Sequence, residues 1–325
     1  MTRVLDPAQI EAFTERAIPR LKLADGATVF AARAARLRRL SEGHAVGDYL
    51  RLMATLCDAQ QRLLERPGDS AGLDPSPGDG VLEKRLQLAR EHGMPPLHAR
   101  DWPRDSRWRG FLDELCRVMA AAPGFPPAVA ETCRRIAAMP VPALEAQADR
   151  LLGAPSEGID LQAAPIVMAA LQVYWAQLVR ALHAGTLAAQ VAPLDVPGIC
   201  PLCGTLPVAS IVRADPVHQG YRYLHCALCD TEWHLVRIKC SQCQSTQGIH
   251  YEVIEGVPTA VRAEACDSCR SYRKICYQEQ DPEVEPAADD LASLALDLLM
   301  AEDGFHRASG HPLLWQAAVS TISTT

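Results

Sequence analysis

The sequence predicts an α+β protein with a helical N-terminal domain, a duplicated Cys-rich ribbon domain and a terminal helix. Three observations carry this prediction. Apolar residues recur at helical spacing through Ala- and Leu-rich segments as far as residue 185. A Pro/Gly stretch from Val191 to Gly198 then interrupts the chain. Beyond it the pattern turns to short two-residue alternation around eight cysteines set as four CxxC pairs. The expected division is 1–190 for the helical domain, 191–282 for the tandem metal-binding domain, and 283–325 for the terminal helix and tail.

The elements follow from local signals. Asp6-Pro7 is an N-cap and first-turn pair that opens a segment towards Ala17. Thr28 caps the next helix, where Val29, Phe30, Ala34, Leu37 and Leu40 share a face. Tyr49, Leu50, Met53, Leu56, Leu63 and Leu64 form a third stretch that stops before Pro67-Gly68, and turn residues follow from Ser70 to Gly80. Further helical patterns cover Val81–His92, Ser106–Ala121, Pro127–Ala138 and Pro142–Leu152. The strongest is Leu161–Ala184, with Asp160 as N-cap and Gly185 just past the end; Pro165 predicts a first turn that starts a few residues late. After the linker, Leu206, Val208, Ser210 and Val212 alternate, as do Tyr221, Tyr223 and His225, and then Trp233, Leu235 and Arg237. Asp289 to Asp303 returns to helix, with Leu291, Leu294, Leu298 and Leu299 on one side and Gly304 closing it.

Composition excludes several classes. A chain of 325 residues suits about two domains and buries a core without staples. Apolar residues at 48% and charged ones at 22% exclude wholesale disorder. A net charge of −7 argues against a protein that coats nucleic acid, and the stretch from Asp195 to Glu279 holds 8 Lys/Arg against 9 Asp/Glu, so it has no basic stripe. Met1 to Pro7 shows no apolar leader and no apolar run nears 18 residues, so the expectation is a cytoplasmic protein without membrane insertion.

The cysteines decide the chemistry. The pairs are Cys200/Cys203, Cys226/Cys229, Cys240/Cys243 and Cys266/Cys269, spaced CxxC-x22-CxxC-x10-CxxC-x22-CxxC. Cys200 to Cys240 and Cys226 to Cys266 are both 40 residues, so the block reads as one unit used twice. Each spacer carries hairpin signals, Asp215-Pro216 with Gly220 in the first and Gly256 with Pro258 in the second. Two CxxC loops beside a hairpin bring four sulfurs together, the zinc-ribbon and rubredoxin-like arrangement. The equal spacers favour Cys200, Cys203, Cys226 and Cys229 as one metal site and Cys240, Cys243, Cys266 and Cys269 as the other. Interleaved sites are the alternative. A CxxC disulfide closes so short a loop that it adds only about 2 kcal/mol. A structural metal adds on the order of 10–16 kcal/mol in zinc-finger peptides, so metal prevails by magnitude. Four thiolates at each site suit one ion, two ions in all, with iron or zinc both admissible. Gly204 follows the first pair and supplies the left-handed backbone that such a loop needs; Asp230, Gln244 and Arg270 stand at the equivalent places, Arg270 the least comfortable.

With these residues in view, the chain resembles the formate dehydrogenase accessory protein family FdhE. The carrying segments are Cys200-Pro-Leu-Cys-Gly204, Tyr221-Arg-Tyr-Leu-His-Cys-Ala-Leu-Cys229, Thr231-Glu-Trp-His234 and Arg262-Ala-Glu-Ala-Cys-Asp-Ser-Cys269. Phe30 to Leu37, Asp48-Tyr49-Leu50, Asp58 to Gln61 and Asp290 to Asp297 extend the likeness over nearly the whole chain. One departure is His311-Pro312, where the family is expected to carry Asn-Pro. The resemblance implies a cytoplasmic maturation factor that contacts the catalytic subunit of a respiratory formate dehydrogenase. That enzyme depends on molybdenum or tungsten and is exported folded by the twin-arginine pathway. The resemblance also implies that the rubredoxin-like cysteines bind iron, favoured over zinc, in a redox role.

Other residues have plainer readings. Cys57, Cys116, Cys133 and Cys276 are expected to be small buried residues, and His218, His225, His234 and His250 to be surface or strand-packing residues. Arg33, Arg36, Arg38 and Arg39 read as a solvated helix face, with partner docking second, and Trp233 as ribbon core. No phosphate loop, GxSxG or HExxH motif is present, so an accessory protein is expected rather than an enzyme. The competing readings are a zinc-ribbon module for nucleic acid or another protein, and a thiol-exchange or electron-delivering enzyme. Self-association is a further partner expectation.

Overall fold

A computed structural model describes residues 18–66, 81–153, 158–184, 191, 194, 196–256 and 260–315. The helix expected from Asp6, the Ser70–Gly80 turn, Gly185 and Pro258 lie outside the described residues. The helical layer contains α1 (Val29–Ser41), α2 (Gly47–Glu65), α3 (Val81–His92), α4 (Arg107–Ala121), α5 (Pro127–Ala137), α6 (Val141–Leu152) and α7 (Ala164–Ala184). α7 forms the axis of this layer. It is apolar on nearly every face and long enough to cross a membrane, but 89% of that window is buried inside the protein, as in the central helix of a bundle. It begins at Ala164, three residues later than its apolar pattern, because Asp160 turns back to accept the backbone N–H groups of Gln162 and Ala163 at 3.2 and 3.1 Å.

The ribbon region forms one sheet from β2 (Pro207–Val212), β3 (Arg222–Cys226), β4 (Glu232–His234), β5 (Ile249–Glu252), β6 (Val261–Cys266) and β7 (Ser271–Tyr277). Strand order is β1-β4-β3-β2-β7-β6-β5, where β1 (Leu21–Lys22) comes from the N-terminal segment and pairs antiparallel with β4. Each 40-residue unit is an antiparallel meander. The two are laid head to tail, and β2 of the first runs parallel to the last three residues of β7 in the second. β8 (His306–Arg307) takes the other end of the same β7 edge. The seam is polar. Arg222, with no exposed surface, bridges Ser210 Oγ and Glu264 at 3.0 and 2.6 Å, while Arg273 donates to Ser241 Oγ at 2.9 Å and to the Pro207 carbonyl.

β2 and β3 are buried along their whole lengths, and Pro286–Ala292 packs against β2. Two expectations need correction. The terminal helix is two helices, α8 (Pro286–Ala292) and α9 (Leu294–Glu302). They break at Ser293, because the buried Lys274 ammonium draws the Asp290 and Ser293 carbonyls to 2.8 and 2.9 Å. As a result Leu298 and Leu299 face outward, and Leu296 and Met300 fill the core instead. Finally, Arg33 and Arg36 are buried, and only Arg38 and Arg39 of the basic run stand in solvent.

The main core runs from the helices into the first ribbon, where Leu202, Leu224, Leu228 and Trp233 join Trp175, Leu171 and their neighbours. The second ribbon has its own small core of Ala263, Ala265, Tyr272, Leu296, Met300 and Phe305. The two cysteine clusters therefore sit in unequal surroundings.

His311 pins the last described segment. It is buried, and its Nε2 donates to the Ala287 carbonyl at 2.8 Å while Nδ1 accepts the Leu313 N–H at 3.0 Å, a pattern only the neutral ring satisfies. Burial pushes its pKa down to about 4. An unfolded histidine titrates near 6.5, so the unfolded chain takes up this proton first, and stability falls as pH drops from about 6.5 through about 4. His311→Asn is expected to flatten that part of the stability profile by up to about 3 kcal/mol, measured by urea unfolding at pH 7 and pH 4.5. Equal pH dependence in both proteins would contradict it.

Candidate metal centres

The four CxxC pairs share a turn, or knuckle, with one left-handed residue, and in three of them the same hydrogen bond closes it. The N–H of the residue after the second cysteine returns to the first cysteine's carbonyl: Gly204 to Cys200 at 2.8 Å, Gln244 to Cys240 at 3.1 Å and Arg270 to Cys266 at 2.8 Å. The turn requires a left-handed backbone at one position per knuckle. Gly204 has φ of 73°, Asp230 56°, Gln244 63° and Arg270 54°, the last three being the only non-Gly residues with positive φ among the described residues. Gly204 is needed twice over, since a Cβ there would lie 2.8 Å from the His98 ring. Gly204→Ala is therefore expected to destabilise by about 1–3 kcal/mol, read from denaturant midpoints. An unchanged midpoint would contradict this account. Arg270 tolerates the conformation because its guanidinium donates to the Asp303 carbonyl at 2.7 Å, at the end of α9, and lies 3.8 Å over the Phe305 ring.

The knuckles bring Cys200, Cys203, Cys226 and Cys229 together in one group and Cys240, Cys243, Cys266 and Cys269 in another, with all four sulfurs of each group within 4.8 Å of one another. In the first group, Cys200–Cys229, Cys203–Cys226 and Cys226–Cys229 are 3.6, 3.4 and 3.5 Å apart. In the second, Cys240–Cys269 and Cys243–Cys266 are 3.8 and 3.7 Å apart. A metal at about 2.3 Å from four sulfurs has tetrahedral edges of about 3.8 Å, whereas a disulfide needs about 2.05 Å. The donor sets thus fit a tetrahedral thiophilic cation. Both clusters can hold a metal ion.

Backbone and hydroxyl groups are aimed at the sulfurs. Leu228 and Cys229 donate N–H groups to Cys226 Sγ at 3.3 Å each, and Gln242 donates to Cys240 Sγ at 3.4 Å. The Thr205 hydroxyl lies 3.1 Å from both Cys203 and Cys226, Thr231 lies 3.3 Å from Cys229, and Ser271 lies 3.0 Å from Cys269. A hydroxyl residue stands two places after every pair, Ser245 completing the set. This fourfold CxxC-x-Ser/Thr signal is visible in the sequence, but cysteine spacing alone does not contain it. Burial pushes the Cys200 and Cys229 thiols well up, so ionising them together requires a cation. Burial opposes ionisation of Cys226 as well, but hydrogen bonds from the other three cysteines hold it well below the usual thiol range.

The helical layer roofs the first centre. Leu97 and Ala99 donate backbone N–H groups to the Leu202 and Cys203 carbonyls at 2.8 and 2.9 Å, and Gln172 of α7 donates to the Ala227 carbonyl at 2.9 Å. Beside the second knuckle, Arg33 of α1 donates to Asp230 at 2.6 Å and to Glu285 at 2.9 Å, with the His225 ring 3.5 Å away. His225 in turn lies 3.2 Å from both Asp230 and Glu232. Burial opposes its charge, yet these two carboxylates raise its pKa to about 9. Glu232 is held well below the usual carboxylate range by Arg213 and His225, which outweigh its burial.

The remaining histidines stay out of both groups. His218 and His234 stack edge-on to Tyr223, and His250 to Phe305. Cys57, Cys116, Cys133 and Cys276 are all buried and join neither cluster. Trp233 is buried in the first ribbon, with its ring N–H on the Pro197 carbonyl at 2.7 Å.

Comparison with known proteins places this architecture. Family models described as the FdhE N-terminal, central and C-terminal domains match residues 18–192, 199–237 and 238–314. The chain belongs to the FdhE family. A protein FdhE homolog of Cronobacter sakazakii is 41% identical over 298 residues, 91% of this chain and 90% of that protein. Protein FdhE of Salmonella paratyphi A is 40% identical over the same shares. The crystal structure of the FdhE protein from Pseudomonas aeruginosa superimposes with a TM-score of 0.79 at 39% identity, covering 91% of this chain and 99% of that one. Membership of the FdhE family supports an accessory or maturation role for formate dehydrogenase.

Proposed function

We propose that this protein is a cytoplasmic accessory factor that binds the catalytic subunit of a molybdenum- or tungsten-dependent respiratory formate dehydrogenase before export. It is not itself the enzyme. In this reading residues 1–190 are the helical domain, 191–282 the tandem metal-binding domain and 283–325 the terminal helices and tail. Cys200, Cys203, Cys226 and Cys229 then ligate one ion, and Cys240, Cys243, Cys266 and Cys269 a second. Iron at such sites supplies one-electron chemistry, and that is the role proposed for it here. The chain's own residues hold eight sulfurs at tetrahedral spacing and direct N–H and hydroxyl groups at them.

The observation that carries the reading is FdhE kinship over most of residues 18–314 together with two groups of four sulfurs. The test is co-purification of a tagged formate dehydrogenase catalytic subunit with this protein, both folded, at micromolar concentration. A stoichiometric complex is expected. Two folded proteins that elute separately would overturn the proposal.

A further inference from the structure

The two centres differ in access far more than their matched spacing suggests. Cys200, Cys203, Cys226 and Cys229 have no exposed surface at all. Around them stand the Leu97 to Ala99 backbone, Gln172 and the helical core, so nothing reaches those sulfurs until the helices part from the ribbon. In the second centre Cys240 and Cys266 are buried, but Cys243 is exposed and Cys269 half-buried. The knuckle residues Gln242, Asp267 and Ser268 are exposed with them. This centre belongs to the ribbon whose separate core is small, and it begins the edge strand β5, where Ile249 pairs with Cys266.

We infer that the two centres divide the work, the first acting as a fixed rivet and the second as an exchange site where a thiophilic divalent cation enters and leaves past Cys243. The reason is mechanistic. A foreign ligand displaces a thiolate by approaching the ion along an unblocked direction, and only the second centre presents a sulfur at the surface. With a thiophilic cation bound, exchange would break the bond to Cys243 Sγ as a bond to the incoming donor formed; the freed thiolate would take a proton from solvent, and no electron would move. Half-buried Cys269 would be released next, and buried Cys240 and Cys266 would hold the ion longest. The inference rests on the metal reading of the proposed function and adds to it which of the two ions a partner or small thiol could reach.

The experiment uses the full chain, purified without air and carrying zinc, with the colorimetric chelator 4-(2-pyridylazo)resorcinol in excess. Release is expected in two phases of one equivalent each, at least tenfold apart in rate. Stopping the reaction after the fast phase and adding iodoacetamide is expected to label Cys243, Cys269, Cys240 and Cys266, with Cys200, Cys203, Cys226 and Cys229 protected on mass mapping. Cys243→Ser, which leaves the first centre untouched, is expected to bind one equivalent and show the slow phase alone. A single phase releasing both equivalents would overturn the division of work while leaving metal binding intact. Early labelling of Cys203, or a fast phase that survives in a Cys243→Ser protein holding two ions, would overturn it as well. A folded wild-type protein with no ion would overturn the metal reading itself.

Discussion

Cys200→Ser is expected to lose one of two metal ions and to collapse the first ribbon together with the helical surface that it supports. Its sulfur is completely buried, and its carbonyl and N–H close the first knuckle through Gly204 and Thr205. Binding energy at such a site is folding energy, of order 10–16 kcal/mol in zinc-finger peptides, against a total stability of about 5–15 kcal/mol for a typical domain. Because Leu202, Leu224, Leu228 and Trp233 share the main core with the helices, the damage spreads beyond the ribbon. Metal content per chain is expected to fall by one equivalent, with loss of cooperative thermal unfolding by circular dichroism. Wild-type metal content in this variant would show the ligand set to be wrong.

The second large effect is expected at Arg33, which ties α1 to the second knuckle and to the N-cap of α8. The guanidinium has no exposed surface and serves Asp230 and Glu285 at once, and Glu285 also caps α8 by accepting the Ala288 N–H at 2.6 Å. Burial opposes its charge, but the two carboxylates more than offset that and raise its pKa. Arg33→Met would leave buried Asp230 with the His225 ring alone and half-buried Glu285 without its cation, a defect that costs about 3–5 kcal/mol. The melting temperature is expected to fall by about 10 °C, given a few degrees per kcal/mol for a chain of this size. Arg33→Lys is expected to recover little of this, since one ammonium lacks the fork that reaches both partners. A fall of less than about 2 °C in Arg33→Met would contradict the locking role.

Much of the fold is legible because helices and knuckles are local. The helix at Val81–His92 depends on periodicity within its own residues, and the four left-handed positions follow from the CxxC turn alone. What the sequence hides is non-local. The basic run at Arg33 to Arg39 looks like a solvated face until Asp230, Glu285 and Asp289, some 200 to 250 residues away, are folded against it. The break at Ser293 is invisible for the same reason, since it depends on a lysine arriving from β7. The head-to-tail joining of the ribbons through β2 and β7, and the capture of β1 by β4, are pairings that no local pattern encodes. The unequal burial of the two sulfur groups is hidden too, because their spacings are identical and only the helical roof distinguishes them.

The central claim is that eight thiolates hold two ions. Its most direct test is metal analysis with an absorption spectrum on protein purified without air. Two equivalents per chain are expected, with iron giving thiolate-to-metal bands in the visible range and zinc a colourless protein. Folded protein with less than one equivalent, or with the paired cysteines recovered as disulfides from that anaerobic sample, would contradict the account.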